Sequence, residues 1–455
     1  MPWVCPWFAV LWFAALCFTG CAPVPKPAPA VPQAPVLDLV RIPQDPAYFA
    51  NGPGKDRPLL TAQAKAALAD DFIQAYFAPW RGGAKPVAKR DAAAPFRAFA
   101  ASPGYAADNL PNPPDFAAQL EANAGLPSYP NLNRPAVTVE AAALRALPTM
   151  APSYLDPSRP GEGYPFDYLQ YANVPQNTPL TARHASRDGQ WIFVEMAMGQ
   201  GWLPSSAVAF VDEAFMSAFQ TGSYAAFIRE GVDLALADAN GRLRGGLGSV
   251  FPVESQGAIG PSGASGLTAL AAVRQGDRAR LAHCAVGADQ AALIPLEATP
   301  ANIAAAARQL IGQTYGWGGL DGKRDCSLMV RDLFTPFGVW LPRNSSAQAK
   351  AAPSTSLAGL TPEQKEQAIL RDGVPFLTLI TLPGHIGLYI GTFEGRPVML
   401  HDIWGVRTRD ATGSEGRRVI GATVITTLTP GRELPDYDRD RNIIGRVDGM
   451  TFLGR

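Results

Sequence analysis

Histidine and cysteine are scarce in this chain, which has four histidines and five cysteines among 455 residues. The sequence has no Cys-x-x-Cys pair and no GxxxxGK[ST] loop, which excludes the commonest paired-cysteine metal sites and phosphate-binding loops. Neither sign of charge is in excess, because 39 basic residues balance 39 acidic ones, and this argues against a nucleic-acid partner. We therefore expect a protein without metal or cofactor, long enough for three or four domains.

The N-terminus has the features of an export signal. The apolar run from Trp7 to Phe18 is too short to span a membrane comfortably but suits the core of a signal peptide. The motif FTGC at positions 18–21 resembles a bacterial lipoprotein cleavage site, although Phe18 replaces the usual Leu and no Lys or Arg precedes the run. We expect residues 1–20 to be a signal peptide and Cys21 the lipidated N-terminus. The alternatives are a plain signal peptide and an uncleaved anchor.

The residues after the predicted cleavage site suggest a destination and a spacer. Ala22 resembles the residue that directs lipoproteins to the outer membrane, so we expect a periplasmic protein held on that membrane by its lipid. Residues 21–37 are rich in proline and would extend by ~3.1 Å per residue. Residues 38–130 predict a small helical N-terminal domain, with a helix within 63–80 that ends before Pro79.

The segment around Asp325, Cys326 and Ser327 predicts a helix with a cysteine in its first turn. Apolar residues at 326, 329, 330, 333 and 334 fall at helical spacing, and Asp325 stands where an N-cap is expected. The positive end of a helix dipole lowers the pKa of a thiol, so we expect Cys326 to be an activated nucleophile. The alternative is a buried structural cysteine.

Two histidines fall on a predicted hairpin downstream of Cys326. Residues 385–390 and 397–401 alternate like strands, with a glycine turn signal at 392–396 between them. A fold near position 393 would bring His385 and His401 to one face, where their imidazoles can hydrogen-bond. We expect His385 to be a general base and His401 to orient it. A zinc site at Cys326, His385 and His401, and purely structural histidines, are the alternatives.

These motifs together resemble the NlpC/P60 family of cell-wall cysteine peptidases. The matching segments lie between Ala301 and Leu428 and read QTYGWGG, RDCSLMV, LPRNSSAQ and GHIGLYIG, followed by a histidine. The resemblance implies a papain-like α+β domain over residues 297–455, with Cys326 as nucleophile, His385 as base and His401 as third polar group. It also implies that Tyr315 assists the oxyanion. Two departures affect the expected pocket: Leu328 replaces a glycine, and residues 373–379 replace a Gly-Asp-Leu turn.

The region upstream resembles bacterial SH3 domains. Residues 131–212 contain Trp191 and the pair Gly201-Trp202 where such domains place a strand tryptophan and a Gly-Trp pair. A weaker second copy spans residues 213–296. The resemblance thus implies a multidomain fold in which a helical domain and two SH3-like β-barrels precede the catalytic domain.

This combination resembles SH3-containing γ-D-glutamyl-L-diamino-acid endopeptidases, whose substrates are peptidoglycan stem peptides. The resemblance implies that Asp325 and Ser327 contact a free N-terminal L-Ala amine, with Glu162 and Tyr164 as candidate SH3 contributors. Asp325 fits a simple helix cap equally well. Two other functions stay open: an amidase or acyltransferase on the same scaffold, and a non-catalytic cell-wall-binding lipoprotein.

Overall fold

The computed structural model describes residues 35–82, 86–259 and 264–454. The predicted signal peptide, the predicted lipidation site Cys21 and most of the proline-rich linker lie outside the described residues. In the ranges just given, no helix has the length and apolar character needed to cross a membrane.

The N-terminal region is helical and contacts the units that follow it. Its helices are α1 (Asp38–Arg41), α2 (Pro46–Ala50), α3 (Ala62–Phe77), α4 (Lys89–Ala92), α5 (Ala94–Ala101) and α6 (Phe116–Ala124). Thr61 caps α3, which ends two residues before Pro79, in agreement with the expected stop. The Tyr76 hydroxyl donates to the Asn177 carbonyl at 2.8 Å, and the Asp38 carboxylate accepts from the Thr427 hydroxyl at 2.7 Å. The region therefore ties the β-rich middle to the C-terminal part.

The middle of the chain is built from antiparallel strands. The first unit contains β1 (Arg134–Thr138), β2 (Ala142–Arg145), β3 (Gln170–Val174), β4 (Pro179–Ala185), β5 (Trp191–Met196), β6 (Gly199–Pro204) and β7 (Val208–Phe210). The second contains α7 (Glu213–Phe219), β8 (Tyr224–Phe227), β9 (Val232–Ala235), β10 (Arg242–Gly245), β11 (Val250–Ile259), β12 (Ala264–Gln275), β13 (Arg278–Gly287) and β14 (Ala291–Leu293). Apart from the separate β9–β10 hairpin, these strands share one sheet, in which β7 pairs with β1 and makes a single parallel contact with β13.

The C-terminal part is a mixed α+β domain. It contains α8 (Pro300–Arg308), α9 (Cys326–Phe334), α10 (Ser345–Gln348), β15 (Ser354–Ser356), α11 (Pro362–Asp372), β16 (Thr378–Leu382), β17 (His385–Phe393), β18 (Arg396–Arg409), β19 (Glu415–Thr427), α12 (Ile443–Arg446) and β20 (Gly449–Phe452). The sheet order is β15-β20-β16-β17-β18-β19. The apolar face of α9 packs on β17 and β18, with Met329, Leu333 and Leu388 fully buried in the shared core. This packing fixes the first turn of α9 against the start of β17.

The loop from Gln313 to Asp325 joins α8 to α9 and docks on the first β-unit. Gly318 has a φ of +63°, and a Cβ there would lie 2.3 Å from the Gln170 carbonyl oxygen. Only glycine therefore permits this approach of the loop to β3. The Gln170 side-chain amide donates to the Gly318 carbonyl at 3.1 Å, which holds the two units together beside the cysteine.

Candidate active site

Cys326 is the first residue of α9, as the sequence predicted. The Asp325 side chain caps the helix by accepting from the Leu328 backbone N–H at 2.9 Å. The backbone N–H of Ile386 favours the charged form of the thiol and lowers its pKa, which puts the sulfur at the start of β17. Burial, with help from the negative charge of Asp325, raises the pKa of the thiol to about 12. The expectation of a low thiol pKa is wrong for this pocket, because desolvation outweighs the helix dipole.

His385 and His401 are hydrogen-bonded, with 2.8 Å between His385 Nε2 and His401 Nδ1. His401 Nε2 lies 3.0 Å from the Thr426 hydroxyl oxygen, and that hydroxyl donates to the Thr427 carbonyl at 2.7 Å. With the Thr426 proton given to the Thr427 carbonyl, His401 Nε2 donates to the Thr426 oxygen and His401 Nδ1 accepts. His385 Nε2 is then the donor to His401, which leaves His385 Nδ1 unprotonated. The network thus leaves His385 with one basic nitrogen.

The hairpin places these rings diagonally. The turn consists of Glu394 and Gly395, and a bulge between Tyr389 and Gly391 shifts the ladder by one residue. Leu388 pairs with Leu400 beyond that bulge, so His385 and His401 are diagonal neighbours on one face. A Cβ on Gly387 would lie 2.9 Å from the His401 Cβ. The absence of a side chain at 387 therefore gives the imidazoles room to meet.

Both imidazoles are neutral at neutral pH. Burial lowers the pKa of His385 to about 4, and the positive charge of Arg446 adds to this effect. Burial also lowers the pKa of His401 well below its usual value, with a further contribution from His385. The resting site therefore holds a neutral thiol and a neutral imidazole base. Both ring nitrogens of His401 are engaged in hydrogen bonds, so His401 has no free nitrogen for a metal ion. This does not suit the alternative of a zinc site with three protein ligands.

The two remaining histidines serve the structure. His184 is fully buried in β4, where its Nε2 lies 2.8 Å from the Ala124 carbonyl of α6. His283 is half-exposed and paired with Asp238 at 2.7 Å. The neighbouring Cys284 is a buried free thiol, as is Cys326, and burial raises the Cys284 pKa to about 11.

Tyr315 lies in the wall of the cleft beside the thiol. Its ring is buried between Phe166 and Trp404, with centroid distances of 6.0 and 5.9 Å. Burial and the nearby Cys326 and Asp325 raise the pKa of the phenol, so the hydroxyl stays protonated and can donate.

A buried carboxyl that the sequence did not point to follows His401 directly. Asp402 is fully buried, and its pKa is raised to about 8 by burial and by the charge of Asp325. The negative form of Asp402 would in turn raise the pKa of the Cys326 thiol. At neutral pH this carboxyl is largely protonated, which keeps that charge away from the nucleophile.

Asp325 is occupied on both carboxylate oxygens. Arg343 donates to Oδ2 at 2.7 Å and to Oδ1 at 3.1 Å, which is the bidentate geometry of a strong ion pair. The Ser327 hydroxyl donates to Oδ1 at 3.0 Å, and the Gly318 N–H donates to Oδ2 at 3.0 Å. Arg343 lies in the segment LPRNSSAQ, and the sequence alone predicted no role for it. In the structure, its ion pair neutralises the charge of Asp325.

The thiol opens into a cleft of about 360 Å³ between the catalytic domain and the first β-unit. The β-unit contributes one wall of the cleft, and residues of that wall include Gln170, Tyr171, Met198 and Gln200. Asp325, Ser327 and Tyr315 line the opposite wall. The candidate residues Glu162 and Tyr164 are not among the lining residues of this cleft, and Tyr164 is 56% exposed. No lining residue comes from 373–379, whose Phe376 is buried in the core instead.

A buried ion pair supports the loop beside the cleft. Arg145 and Asp167 are 1% and 2% exposed and lie 2.6 Å apart. Asp167 is flanked by Phe166, whose ring is 5.4 Å from that of Trp317, and by Tyr168, at 5.6 Å from the same ring. The ion pair therefore positions the aromatic side chains that join the two units.

Comparisons with known proteins agree with this architecture. The NLPC_P60 stabilising domain matches residues 10–129, the SH3 domain of SH3b1 type matches residues 152–204, and the NlpC/P60 family matches residues 312–416. A search of curated protein sequences gives no match.

Solved structures provide a second comparison. An NlpC/P60 endopeptidase from Photobacterium damselae subsp. piscicida is similar over 91% of this chain and 98% of its own, with a TM-score of 0.81 and 26% identity. An NlpC/P60 family protein from Bacillus cereus ATCC 10987 covers 70% of this chain and 99% of its own, with a TM-score of 0.46 and 14% identity.

The fold and the cysteine–histidine pair define a cysteine peptidase with a C-terminal catalytic domain, an SH3b domain and a helical stabilising domain. The chain carries an NlpC/P60 domain together with an SH3b domain and an N-terminal stabilising domain, and it is similar to NlpC/P60 peptidoglycan hydrolases.

Proposed function

We propose that this enzyme cleaves the γ-D-glutamyl–diamino-acid bond of peptidoglycan stem peptides through a thioester on Cys326. The observation that carries the proposal is the chain from His385 through His401 to Thr426, which leaves His385 Nδ1 free to act as a base at the start of β17, the strand on which α9 packs. The cleft of about 360 Å³ suits a short peptide.

In the acylation step His385 Nδ1 takes the thiol proton as the Cys326 sulfur attacks the amide carbon. Negative charge develops on the carbonyl oxygen. The Cys326 backbone N–H, which has no intrahelical acceptor at this position of α9, and the Tyr315 hydroxyl are the donors for that charge. The protonated His385 then gives its proton to the leaving amine, the C–N bond breaks, and an acyl thioester with the D-glutamyl γ-carbonyl is left.

Hydrolysis reverses the proton path. His385 Nδ1 takes a proton from water as the water oxygen attacks the thioester carbon. The tetrahedral intermediate expels the sulfur, which recovers the proton from His385. The enzyme returns to the neutral thiol and imidazole of its resting state, and the acyl fragment leaves as a free γ-carboxylate.

Mass spectrometry of digested stem peptides tests this proposal. The expected products are an L-Ala–D-Glu dipeptide and a fragment with a new amino terminus on the diamino acid. Cys326→Ala should abolish cleavage and Cys284→Ala should leave it nearly unchanged. His401→Ala should slow the reaction less than His385→Ala, since an orienting group costs less to lose than the base. Cleavage at another bond, or a product joined to an added amine, would favour an amidase or an acyltransferase instead.

We also propose that the protein is lipidated at Cys21 and held on the periplasmic side of the outer membrane. The FTGC motif at 18–21 and the proline-rich segment after it support this location. Fractionation of cells that make the wild type and Cys21→Ala tests it, because only the wild type should be found with the outer membrane. Equal distribution of both proteins would contradict lipidation at this residue.

A further inference from the structure

Three arginines lie at one edge of the catalytic domain, and Arg446 is the one whose charge acts on His385. Arg446, the last residue of α12, donates from Nη2 to the carbonyl of Pro383, two residues before His385. Arg407 of β18 and Arg417 of β19 face each other directly in the ladder. We call these three residues the arginine cluster.

The geometry of the chain brings the two halves of this cluster together. The segment that leads into α12 runs along β18: the Arg409 N–H donates to the Asp436 carbonyl at 2.6 Å, and the Asp438 N–H donates to the Arg407 carbonyl at 3.3 Å. Burial lowers the pKa of Arg417, and the charges of Arg407 and Arg446 lower it further. Arg407 and Arg446 therefore both act on Arg417 through their charge.

Acidic partners compensate only part of this charge. Across the described part of the chain, the one carboxylate that forms an ion pair with any member of the cluster is Glu415, at 2.6 Å from Arg407. The Arg417 Nε is buried and lacks a hydrogen-bond partner among the described residues. An unpaired buried donor among repelling cations is unfavourable unless an anion binds there.

The arginine cluster also contacts the first β-unit. The Arg417 Nη2 lies 2.8 Å from the position that a Cβ on Gly161 would take, so its guanidinium packs against the loop of the first β-unit that carries Phe166. Gly384, the neighbour of Pro383, lines the cleft. The three arginines do not line the cleft themselves; Arg446 reaches its edge through Pro383, next to Gly384.

The direction of the reaction identifies which part of the substrate lies there. His385 gives a proton to the leaving amine, so the leaving fragment lies on the His385 side of the scissile bond. We infer that Arg407, Arg417 and Arg446 form a subsite for a carboxylate of the leaving fragment. Guanidinium groups match carboxylates in both charge and geometry. This inference rests on the proposed function, because that function assigns the leaving group.

Two carboxylates of a stem peptide have this chemistry. One is the side-chain carboxylate of a dicarboxylic diamino acid, which lysine lacks. The other is the C-terminal carboxylate of a short stem. Four synthetic peptides separate them: L-Ala–γ-D-Glu followed by diaminopimelate or by lysine, each with a free or an amidated C-terminus. All are compared by kcat/KM on the wild-type protein, which needs no variant to fold.

We expect kcat/KM to be at least about tenfold higher for the peptides that carry the carboxylate bound by the cluster. If diaminopimelate peptides are preferred whether or not the C-terminus is amidated, the cluster binds the side-chain carboxylate. If peptides with a free C-terminus are preferred whichever diamino acid they contain, the cluster binds the C-terminal carboxylate. Equal kcat/KM for all four peptides would overturn the subsite but leave the proposed function intact. Failure to cut the γ-glutamyl bond in any of them would instead overturn the proposed function.

Variants test which residues hold the carboxylate. Arg446→Gln and Arg417→Gln keep side-chain length and should lower kcat/KM about tenfold for the preferred peptide, mainly through KM. The loss should be smaller on the lysine amide, which offers neither carboxylate to the cluster. The control is Arg371→Gln, because Arg371 is exposed on α11 and pairs with its neighbour Asp372. Equal losses on all four peptides, with unchanged thermal unfolding, would show a general role and contradict a carboxylate subsite.

Discussion

The Thr426 hydroxyl lies 3.0 Å from His401 Nε2 and donates its own proton to the Thr427 carbonyl. This hydrogen bond from Thr426 sets the donor and acceptor roles in the hydrogen bonds from His401 to His385. The arrangement explains why the neutral imidazole of His401, rather than a carboxylate, can serve as the third polar group beside Cys326 and His385. Thr426 is thus a positioning residue that acts on the thiol through two imidazoles.

Thr426→Val should reduce kcat about tenfold or more while the fold stays intact, because valine keeps the shape but cannot accept from His401. Without that acceptor, His401 is free to protonate Nδ1, and His385 then loses its orienting partner. The measurement is kcat and KM on a stem peptide, with thermal unfolding as the check on folding. Since the effect acts on the base, KM should change little.

Thr381→Val is the matched control for this variant. Thr381 is also a strand residue of the catalytic sheet, and its hydroxyl donates to Asp448 at 2.9 Å, outside the histidine chain. It should alter stability without a comparable loss of kcat. An equal fall in kcat for both variants would mean that Thr426 matters only for packing.

The acid limb of the pH profile should lie unusually low. Burial lowers the pKa of His385 to about 4, so the base stays unprotonated well below neutral pH. We expect kcat/KM to hold from neutral pH to about pH 5 and to fall about tenfold per unit below pH 4. Arg446→Gln removes a positive charge that depresses this pKa, so its acid limb should move to higher pH. An acid limb near 6.5 in the wild type would contradict the neutral resting base.

Stability must be measured alongside this profile. His385, His401 and His184 all have folded-state pKa values below the unfolded value of about 6.5. The unfolded chain therefore binds more protons as the pH falls below about 6.5, and the free energy of unfolding decreases in that direction. Rates are meaningful only at pH values where thermal unfolding shows a folded enzyme.

The alkaline limb should depend on Asp402. Its pKa is raised to about 8, and its ionised form raises the pKa of the Cys326 thiol. We expect kcat/KM to fall above about pH 8 in the wild type, because the new charge opposes both thiolate and oxyanion. Asp402→Asn stays neutral and should keep its activity to higher pH. Identical alkaline limbs in both proteins would exclude Asp402 as the group responsible.

The local elements of the site could be predicted from sequence because short-range patterns determine them. The apolar spacing after Cys326 and the cap at Asp325 predicted α9, and alternation around a glycine turn predicted the hairpin of His385 and His401. The bulge before Gly391 was not visible, since it depends on how two strands pair. It leaves the histidines diagonal, yet still within hydrogen-bond distance.

Burial and long-range partners were the parts that sequence could not provide. The helix position of Cys326 suggested a lowered thiol pKa, but the thiol is desolvated by chain segments far away in sequence. Thr426 is 25 residues from His401 in the chain and has no motif of its own. Arg343 lies in the segment LPRNSSAQ, but its ion pair with Asp325 becomes evident only when α9 and the loop after it are packed together.

The buried pair of Arg145 and Asp167 should be essential for the wall of the cleft. Asp167→Ala leaves Arg145 charged and unpaired in the interior, which typically costs about 3–5 kcal/mol. We expect a lower unfolding temperature and a lower kcat/KM, because Phe166 and Tyr168 lose their support. The double variant Arg145→Met with Asp167→Leu should recover part of the stability. Full activity and stability in Asp167→Ala would contradict the supporting role.

The ion pair of Asp325 with Arg343 bears on whether the substrate needs a free amine. The carboxylate already accepts from Arg343, Ser327 and two backbone N–H groups, so it has no uncompensated charge for an ammonium. Asp325 is also the one carboxylate among the lining residues of the cleft, and its charge is balanced by that arginine. We therefore expect the enzyme to accept stem peptides whose N-terminal L-Ala is acylated, as it is on the glycan.

Two stem peptides that differ only in N-terminal acetylation measure this directly. An ammonium bound by a buried carboxylate would favour the free peptide by roughly ten- to a hundredfold. We expect kcat/KM values within about threefold of each other, since Arg343 already balances the charge of Asp325. Asp325→Asn should impair both peptides equally, because it keeps the cap but breaks the ion pair. A large preference for the free amine that disappears in Asp325→Asn would show that Asp325 binds the substrate ammonium despite Arg343.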